Sequence, residues 1–466
     1  MSLAKRRWSL GLLLALLFIV SLPAVTTRLY ASDEIQYFAY LRSVWFDGDL
    51  SFENEYRYFY DRNIARAWGF HETFLERQTE TGLRINFAPV GSAILWSPFY
   101  AVADLTVVTM RALGSSVPRD GFSQPYITAV TYGSAVYGFL AVLLSAVAAR
   151  HIVGAGALAA GAVWIGTPLI FYMYVTPGMS HACSAFTVAL FLYAWLRVRT
   201  RWSVSGVALL GALAALMTMV REQDALFAIG PGLDYFSTLG GVRSGVWSQA
   251  RTRLYRNGLA AVVAFAVVYL PQAVAYVVLN GRLGPSNLVS RKMSWSAPHA
   301  LEVLVSPEHG FLWWTPLAVL CVVGLVLSLT NGTVRAESRD ARWIGLLALV
   351  MVVAQVYVAG SVDSWSAAGT FGHRRFVALT APLTIGLATL VLRAGPGWRR
   401  GLLGTAVVLT IWWNVGLMVQ FGMGTMSRQR LDLPSNAYET FVQLPFEQPR
   451  LLYRYLTDRE SFYEPR

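Results

Sequence analysis

The sequence predicts an all-α polytopic membrane protein, and three observations carry that prediction. Of 466 residues, 55% are hydrophobic and 14% charged, where an ordinary soluble domain carries about 25% charged residues. The mean hydropathy is +0.47. Apolar runs long enough to cross about 30 Å of hydrocarbon recur along the chain. These features exclude a soluble enzyme, a disordered chain and a disulfide scaffold. The net charge of +12 reads as a topology signal, not as a nucleic-acid footprint. Cys183 and Cys321 each lie in an apolar run, so neither a disulfide nor a zinc site is expected.

Runs of about 20 apolar residues give spans at 9–29, 126–149, 152–172, 181–197, 204–220, 223–236, 257–279, 311–330, 342–360, 376–393 and 401–421. The 223–236 run is short and holds Gly230-Pro231-Gly232, which makes it the weakest. A further stretch, 89–112, is interrupted by Pro89, Pro98 and Asp104. Residues 1–31 also resemble a signal peptide, but the apolar stretch from Trp8 to Val25 is longer than most signal cores. It is read as the first span.

Basic residues set the orientation. Lys5, Arg6 and Arg7 precede the first span. Arg150, the Arg197–Arg201 group, the Arg243–Arg256 group, the Arg335–Arg342 group and the Arg393–Arg400 group fall in alternate loops. The positive-inside rule places all of them in the cytoplasm, which requires an odd number of crossings. The expected bundle then has about 11–13 transmembrane helices, and 89–112 is re-entrant or lies in the interface. If it crosses, another weak run must fail.

The other side receives 30–88, 173–180, 280–310, 361–375 and a tail, 422–466. Residues 1–421 thus form one transmembrane module, followed by the short outer tail. The 30–88 loop holds ten acids and six arginines, and it is too long for a connector. Its Asn63–Trp68 stretch predicts a short amphipathic surface helix. Its aromatic residues, among them Phe38, Tyr40, Phe52, Tyr56 and Phe59, are expected at the headgroup level.

Asp33 and Glu34 follow the first span in Ser32-Asp33-Glu34-Ile35-Gln36-Tyr37. The plainer reading is a helix start, because acids favour the first turn. The functional one is a general base whose basicity rises with partial desolvation. Asp47-Gly48-Asp49 has the look of a metal–diphosphate motif, but Asp-Gly is a strong turn signal and a turn is favoured. Gly372-His373-Arg374-Arg375-Phe376 puts two arginines on the outer side, against the topology bias. They read as snorkelling cations or as an anion site for a phosphate, with His373 as a further donor. Arg84, Arg291 and Lys292 are further outer-side cations.

Ser306-Pro307-Glu308-His309-Gly310 sets Glu308 and His309 beside a tight turn, and a loop cap is its plainer reading. His181 opens its span from the outer side. Arg221-Glu222-Gln223-Asp224 is either a self-neutralising turn or a site, since charge so near the membrane is costly. No motif demands a cofactor. A divalent metal stays open, because the histidines are scattered without His-x-x-x-His or Cys-x-x-Cys spacing.

The order is acids after the first span, an aromatic outer loop, Pro89-Val90-Gly91, many spans and a late outer arginine pair. It resembles the GT-C glycosyltransferases, membrane enzymes that use lipid-phosphate-linked sugars. That family includes the protein O-mannosyltransferases and the lipid A aminoarabinose transferase. Ser306–Gly310 followed by Trp314-Thr315-Pro316, and Phe371–Phe376, are similar to runs in bacterial members of unassigned substrate. The resemblance covers nearly the whole chain, without the sizeable soluble outer domain of the larger members.

It implies a GT-C-like bundle with a helical extracytoplasmic first loop, in a bacterial inner membrane with the N-terminus cytoplasmic. It implies a polyprenyl-phosphate-linked sugar donor, a lipid, glycan or protein acceptor, and membrane lipids as surroundings. Asp33 is then the base of an inverting transfer and Glu34 its fallback or orienting partner. Arg374 and Arg375 face the leaving phosphate, and His373, Arg84, His181, Glu308, His309 and Arg221 contact substrate. The rivals are a lipid-linked polysaccharide polymerase or ligase, a transporter or flippase of lipid-linked sugars, and a structural membrane subunit. A polymerase needs no acid pair directly after the first span, and a transporter puts its charges near mid-membrane.

Overall fold

The structure, a computed structural model, describes residues 3–240, 247–290, 292–296, 298–330 and 338–462. Arg243, Arg291 and Arg335 lie outside the described residues. In chain order the first helices are α1 (Leu3–Ser21), α2 (Ser32–Arg42), α3 (Glu53–Asp61), α4 (Gly91–Ala112), α5 (Gln124–Val153), α6 (Ala157–Gly166) and α7 (Leu169–Tyr174). Next come α8 (His181–Val198), α9 (Val204–Val220), α10 (Ile229–Gly240), α11 (Trp247–Asn280), α12 (Asn287–Ser290), α13 (Ala300–Val305) and α14 (Phe311–Trp314). The last are α15 (Leu317–Ser328), α16 (Ser338–Gly360), α17 (Thr380–Arg393), α18 (Trp398–Met423), α19 (Leu433–Tyr438) and α20 (Leu444–Thr457). Among the described residues β pairing is confined to two isolated bridges, Gln78 with Arg84 and Met293 with Val362.

The protein is an all-α membrane protein. Among the described residues, seven helical segments are long and apolar enough to cross a bilayer: α4, α5, α8, Thr252–Asn280, Asp340–Gly360, Arg374–Arg393 and α18. Leu10–Ala24, α6, α9 and α15 are shorter apolar helices. Two expected continuous spans are broken. The 152–172 run stops at Gly166 and restarts at Leu169, and 311–330 stops at Trp314 and restarts at Leu317. Pro168 and Pro316 explain both breaks, because proline lacks the helical donor and clashes with the preceding turn.

Contacts divide the chain into two compact units. Unit 1 is Met1–Leu144 with Tyr172–Lys292, and unit 2 is Ser145–Phe171 with Met293–Arg466. The tail after residue 421 therefore belongs to unit 2 and does not stand apart.

In unit 1 several helix ends share one side. The side chain of Gln124, heading α5, donates to Thr27 O just past α1 (2.9 Å). Thr26 N donates to Tyr174 O (2.8 Å). Gly178 N, ahead of α8, donates to Glu34 Oε1 (3.1 Å). Arg221, past the end of α9, meets His181 at the head of α8. At the other end of α8, Asp234 accepts from Trp195 Nε1 (2.8 Å) and Arg199 Nε (2.7 Å). The 3₁₀ segment Glu222–Ala228 and α10 therefore run back along α8, so the weak 223–236 run exists as a broken helix.

The contacts of α4 settle its path within unit 1. Trp96 Nε1 donates to Ser134 Oγ (2.8 Å) and Tyr126 OH donates to Asp104 Oδ1 (2.7 Å), so α4 lies antiparallel to α5. Gly91 packs on the Met219–Val220 backbone so closely that a Cβ there would overlap it. The helix thus starts at the C-terminal end of α9 and finishes beyond the N-terminal end of α5. Pro98 is accommodated inside α4 without a break, contrary to the interruption expected there.

Two expectations for the 30–88 loop are corrected. The helix covers Glu53–Asp61, not Asn63–Trp68. It stops where Asn63 takes φ +56°, a left-handed conformation that no helix continues through. Phe38, Tyr40, Phe52, Tyr56 and Phe59 are buried together, not spread at the headgroup level. Phe38 meets Phe59 and Tyr100 edge-on, and Phe52 meets Tyr40 the same way. Folding the short helices onto α4 buries more aromatic area than leaving each ring at the interface. Asp47-Gly48-Asp49 is a turn: Gly48 has φ +71°, and Asp49 Oδ1 accepts from Ser43 Oγ (2.8 Å) and Ser51 N (3.0 Å).

Small residues let the long helices approach. Gly211 of α9 lies against the Ala261 backbone of α11 in unit 1. In unit 2, Gly324 of α15 and Gly386 of α17 face each other so closely that neither has room for a Cβ. Such crossings suit helices in lipid, where van der Waals packing holds helices together without a hydrophobic drive.

Candidate functional site

The start of α2 brings the two acids of the 30–88 loop into different roles. Glu34 sits at the third helical position and is fully buried. Its Oε2 accepts from Ala31 N (3.0 Å) and Tyr30 N (3.1 Å), which ties down the chain entering the helix. Its Oε1 takes Gly178 N from the turn before α8. Burial pushes the carboxyl up to about 7, against the lowering effect of those three bonds. Asp33, one residue earlier, is half-buried. The helix-start geometry is therefore real, and it uses Glu34 as an anchor with Asp33 beside it.

Around this anchor unit 1 assembles a polar group that includes two more of the singled-out residues. Ser180 Oγ donates to Tyr37 OH (2.9 Å), one turn along α2 from Asp33. His181 is buried, its ring 4.3 Å from that of Tyr172, and Arg221 bonds it. Ser184 Oγ donates to Asp224 Oδ2 (2.6 Å). His181 and Ser184 lie three apart on α8, and so do Arg221 and Asp224 after α9, so the two pairs close like a zipper. Gln36 holds the 85–90 segment through Phe87 N (2.9 Å) and Asn86 (3.0 Å). Gln272 of α11 takes Val90 N (2.9 Å).

Arg84 lies in the same unit but outside this group. It pairs with Glu53 and donates to Glu76 O (3.1 Å), bracing the loop on itself. Lys292 lies over the Phe87 ring (5.7 Å).

Unit 2 brings the other two motifs together. Ser306–Gly310 forms a tight turn closed by Gly310 N to Ser306 O (2.8 Å). Glu308 is exposed on it, and His309 is buried and stacked on Trp314. The His309 Nε2 bonds Thr370 O (3.0 Å), one residue before Phe371. His373 Nε2 bonds Trp365 O (3.0 Å). Burial holds both imidazoles below the ordinary histidine range, and the Arg375 charge lowers His373 further. Arg375 is buried, with Nη1 donating to Ser364 O (2.8 Å) and Trp365 O (3.2 Å) and Nη2 to Ser364 Oγ (3.1 Å). Arg374 is the half-buried member of the pair. Gly372 turns the chain against Pro168 at φ +58°.

Asp33, Glu34, Arg84, His181 and Arg221 thus fall in unit 1, and Glu308, His309, His373, Arg374 and Arg375 in unit 2. Tyr37, Ser180 and Ser184 escaped notice in the sequence because a hydroxyl has no charge to stand out. The spacing of His181 to Ser184 and of Arg221 to Asp224 was the available signal. Among the described residues no three His, Cys, Asp or Glu side chains gather as a metal site. No protein-family model matches the chain, and a search of curated proteins finds no match.

Proposed function

We propose that this chain is a membrane glycosyltransferase of the GT-C type. It moves a sugar from a polyprenyl-phosphate donor to an acceptor hydroxyl at the extracytoplasmic face. The single observation that favours this is the start of α2. Two adjacent carboxylates stand there, Glu34 sealed as an anchor and Asp33 half-buried beside it, on the helix-end side that also carries Arg221 and His181.

In this proposal Asp33 takes the proton from the acceptor hydroxyl. The freed oxygen attacks the anomeric carbon, the bond from that carbon to the phosphate oxygen breaks, and its electron pair leaves with the lipid phosphate. Attack opposite the leaving group inverts the anomeric centre. The phosphate is already a good anion, so positive charge serves better than a strong acid. Unit 1 itself supplies Arg221 with His181 for that purpose. The bonds of Arg375 are directed at its own loop.

Incubating the purified protein with radiolabelled polyprenyl-phosphate hexoses tests the proposal. The wild-type protein releases free lipid phosphate and Asp33→Asn does not. Absence of release from every donor and acceptor tried overturns the transferase and leaves a flippase, scored by movement of the same lipid across vesicles.

A further inference from the structure

The tail beyond α18 turns back along that helix. Asn436 Nδ2 donates to Gln420 Oε1 (2.7 Å), and Gln420 Nε2 donates to Thr440 Oγ1 (2.8 Å). Trp412 Nε1 donates to Thr440 O (2.9 Å), and the Phe441 ring stacks on Trp413 (6.1 Å). Gly416 makes room, since a Cβ there would strike Thr440. The π-helical turn Glu439–Gln443 is therefore fixed against α18 near Gly416.

That position sets a depth. With 26 residues, α18 is about 39 Å long at about 1.5 Å per residue, so it exceeds about 30 Å of hydrocarbon by about 9 Å. Gly416 lies seven residues before Met423, about 10 Å from the helix end. The turn thus lies a few ångströms inside the hydrocarbon boundary if the excess is shared between both ends. Helix α20 leaves from there.

Only Leu444 of α20 is buried. At about 100° per residue, Phe446, Leu452, Tyr453 and Leu456 share one arc, and they are 84, 60, 70 and 74% exposed. Arg450, Arg454 and Glu447 occupy the neighbouring arc. A wide apolar arc beside a charged one, starting at the depth of the acyl boundary, is the pattern of a helix lying in the interface plane.

We infer that α20 is a membrane-surface helix, its Phe446–Leu452–Tyr453–Leu456 arc in the acyl boundary and Arg450 among the headgroup phosphates. The tail is then a lipid-bound strap, not a free outer segment. The inference is independent of the proposed chemistry.

Spin labels test it on the full chain in phosphatidylcholine–phosphatidylglycerol nanodiscs. Native Cys183 and Cys321 are both buried, so a label reports on the introduced cysteine. Phe446→Cys, Leu452→Cys, Tyr453→Cys and Leu456→Cys alter exposed positions and leave the α18 contacts intact. Labels at these four are expected to collide more with oxygen than with a water-soluble nickel chelate, and the label of Arg450→Cys to do the reverse. Chelate preference at all five positions overturns the inference in favour of a helix in water. Oxygen preference at all five overturns it in favour of full insertion. Spin–spin broadening at Tyr453→Cys that vanishes on dilution with unlabelled protein overturns it in favour of a second copy.

Discussion

Unit 1 and unit 2 each draw charged motifs out of distant parts of the chain, but the charges point to different partners. In unit 1, side chains meet side chains: Arg221 with His181, Asp224 with Ser184, Tyr37 with Ser180. In unit 2, His309, His373 and Arg375 hydrogen-bond backbone carbonyls of the 364–370 loop. A side chain satisfied by backbone fixes a loop, because those carbonyls otherwise have no helix to join. A group of side chains that bond one another can serve chemistry. Two motifs equally unusual in sequence thus carry different expectations.

The largest effect expected from this contrast is at Asp33. Asp33→Asn lowers transfer by about 10²–10⁴, the usual worth of a general base, while the protein still inserts and purifies. Lipid-phosphate release at saturating donor measures it. An active Asp33→Asn variant removes Asp33 as the base and shifts attention to Glu34.

Next is the arginine pair. Arg375→Ala removes three hydrogen bonds that hold the loop, to Ser364 O, Trp365 O and Ser364 Oγ, and destabilises by about 2–5 kcal/mol, whereas Arg374→Ala costs under about 1 kcal/mol. Heat-dependent reaction of the buried cysteines with a thiol dye reads both. Equal stability of the two variants breaks the assignment of Arg375 to the loop.

Glu34 gives a smaller, pH-dependent signature. Its folded value of about 7 lies above the ordinary 4.5. Between those two values the folded protein keeps a proton that the unfolded chain has released, so stability falls as pH rises through the window. Glu34→Gln is expected to flatten that slope. An unchanged pH profile of unfolding would place the carboxylate in water.

The smallest effect is at Arg84. Its pairing with Glu53 is partly exposed, so Arg84→Ala costs at most about 1 kcal/mol and leaves transfer unchanged. A raised donor KM in that variant would return Arg84 to the site.

Much of this was legible in the sequence, because hydropathy and turn chemistry are local. The apolar runs, the helix start at Ser32–Glu34 and the Gly48 turn follow from a few neighbouring residues each. Proline breaks at Pro168 and Pro316 were equally local, yet hydropathy averages pass over a single missing donor. The aromatic loop misled for a different reason: whether Phe38 or Tyr56 faces lipid or a ring depends on what folds over it.

The sequence by itself determined that this is a helical membrane protein with an acid pair after its first apolar helix, since composition and periodicity decide what can live in lipid. Only the tertiary structure decided which charges are anchors. Glu34 is satisfied by Gly178, His181 by Arg221 and Arg375 by Ser364. A hydrogen bond between residues 144 apart in the chain leaves no trace in the residues beside either end.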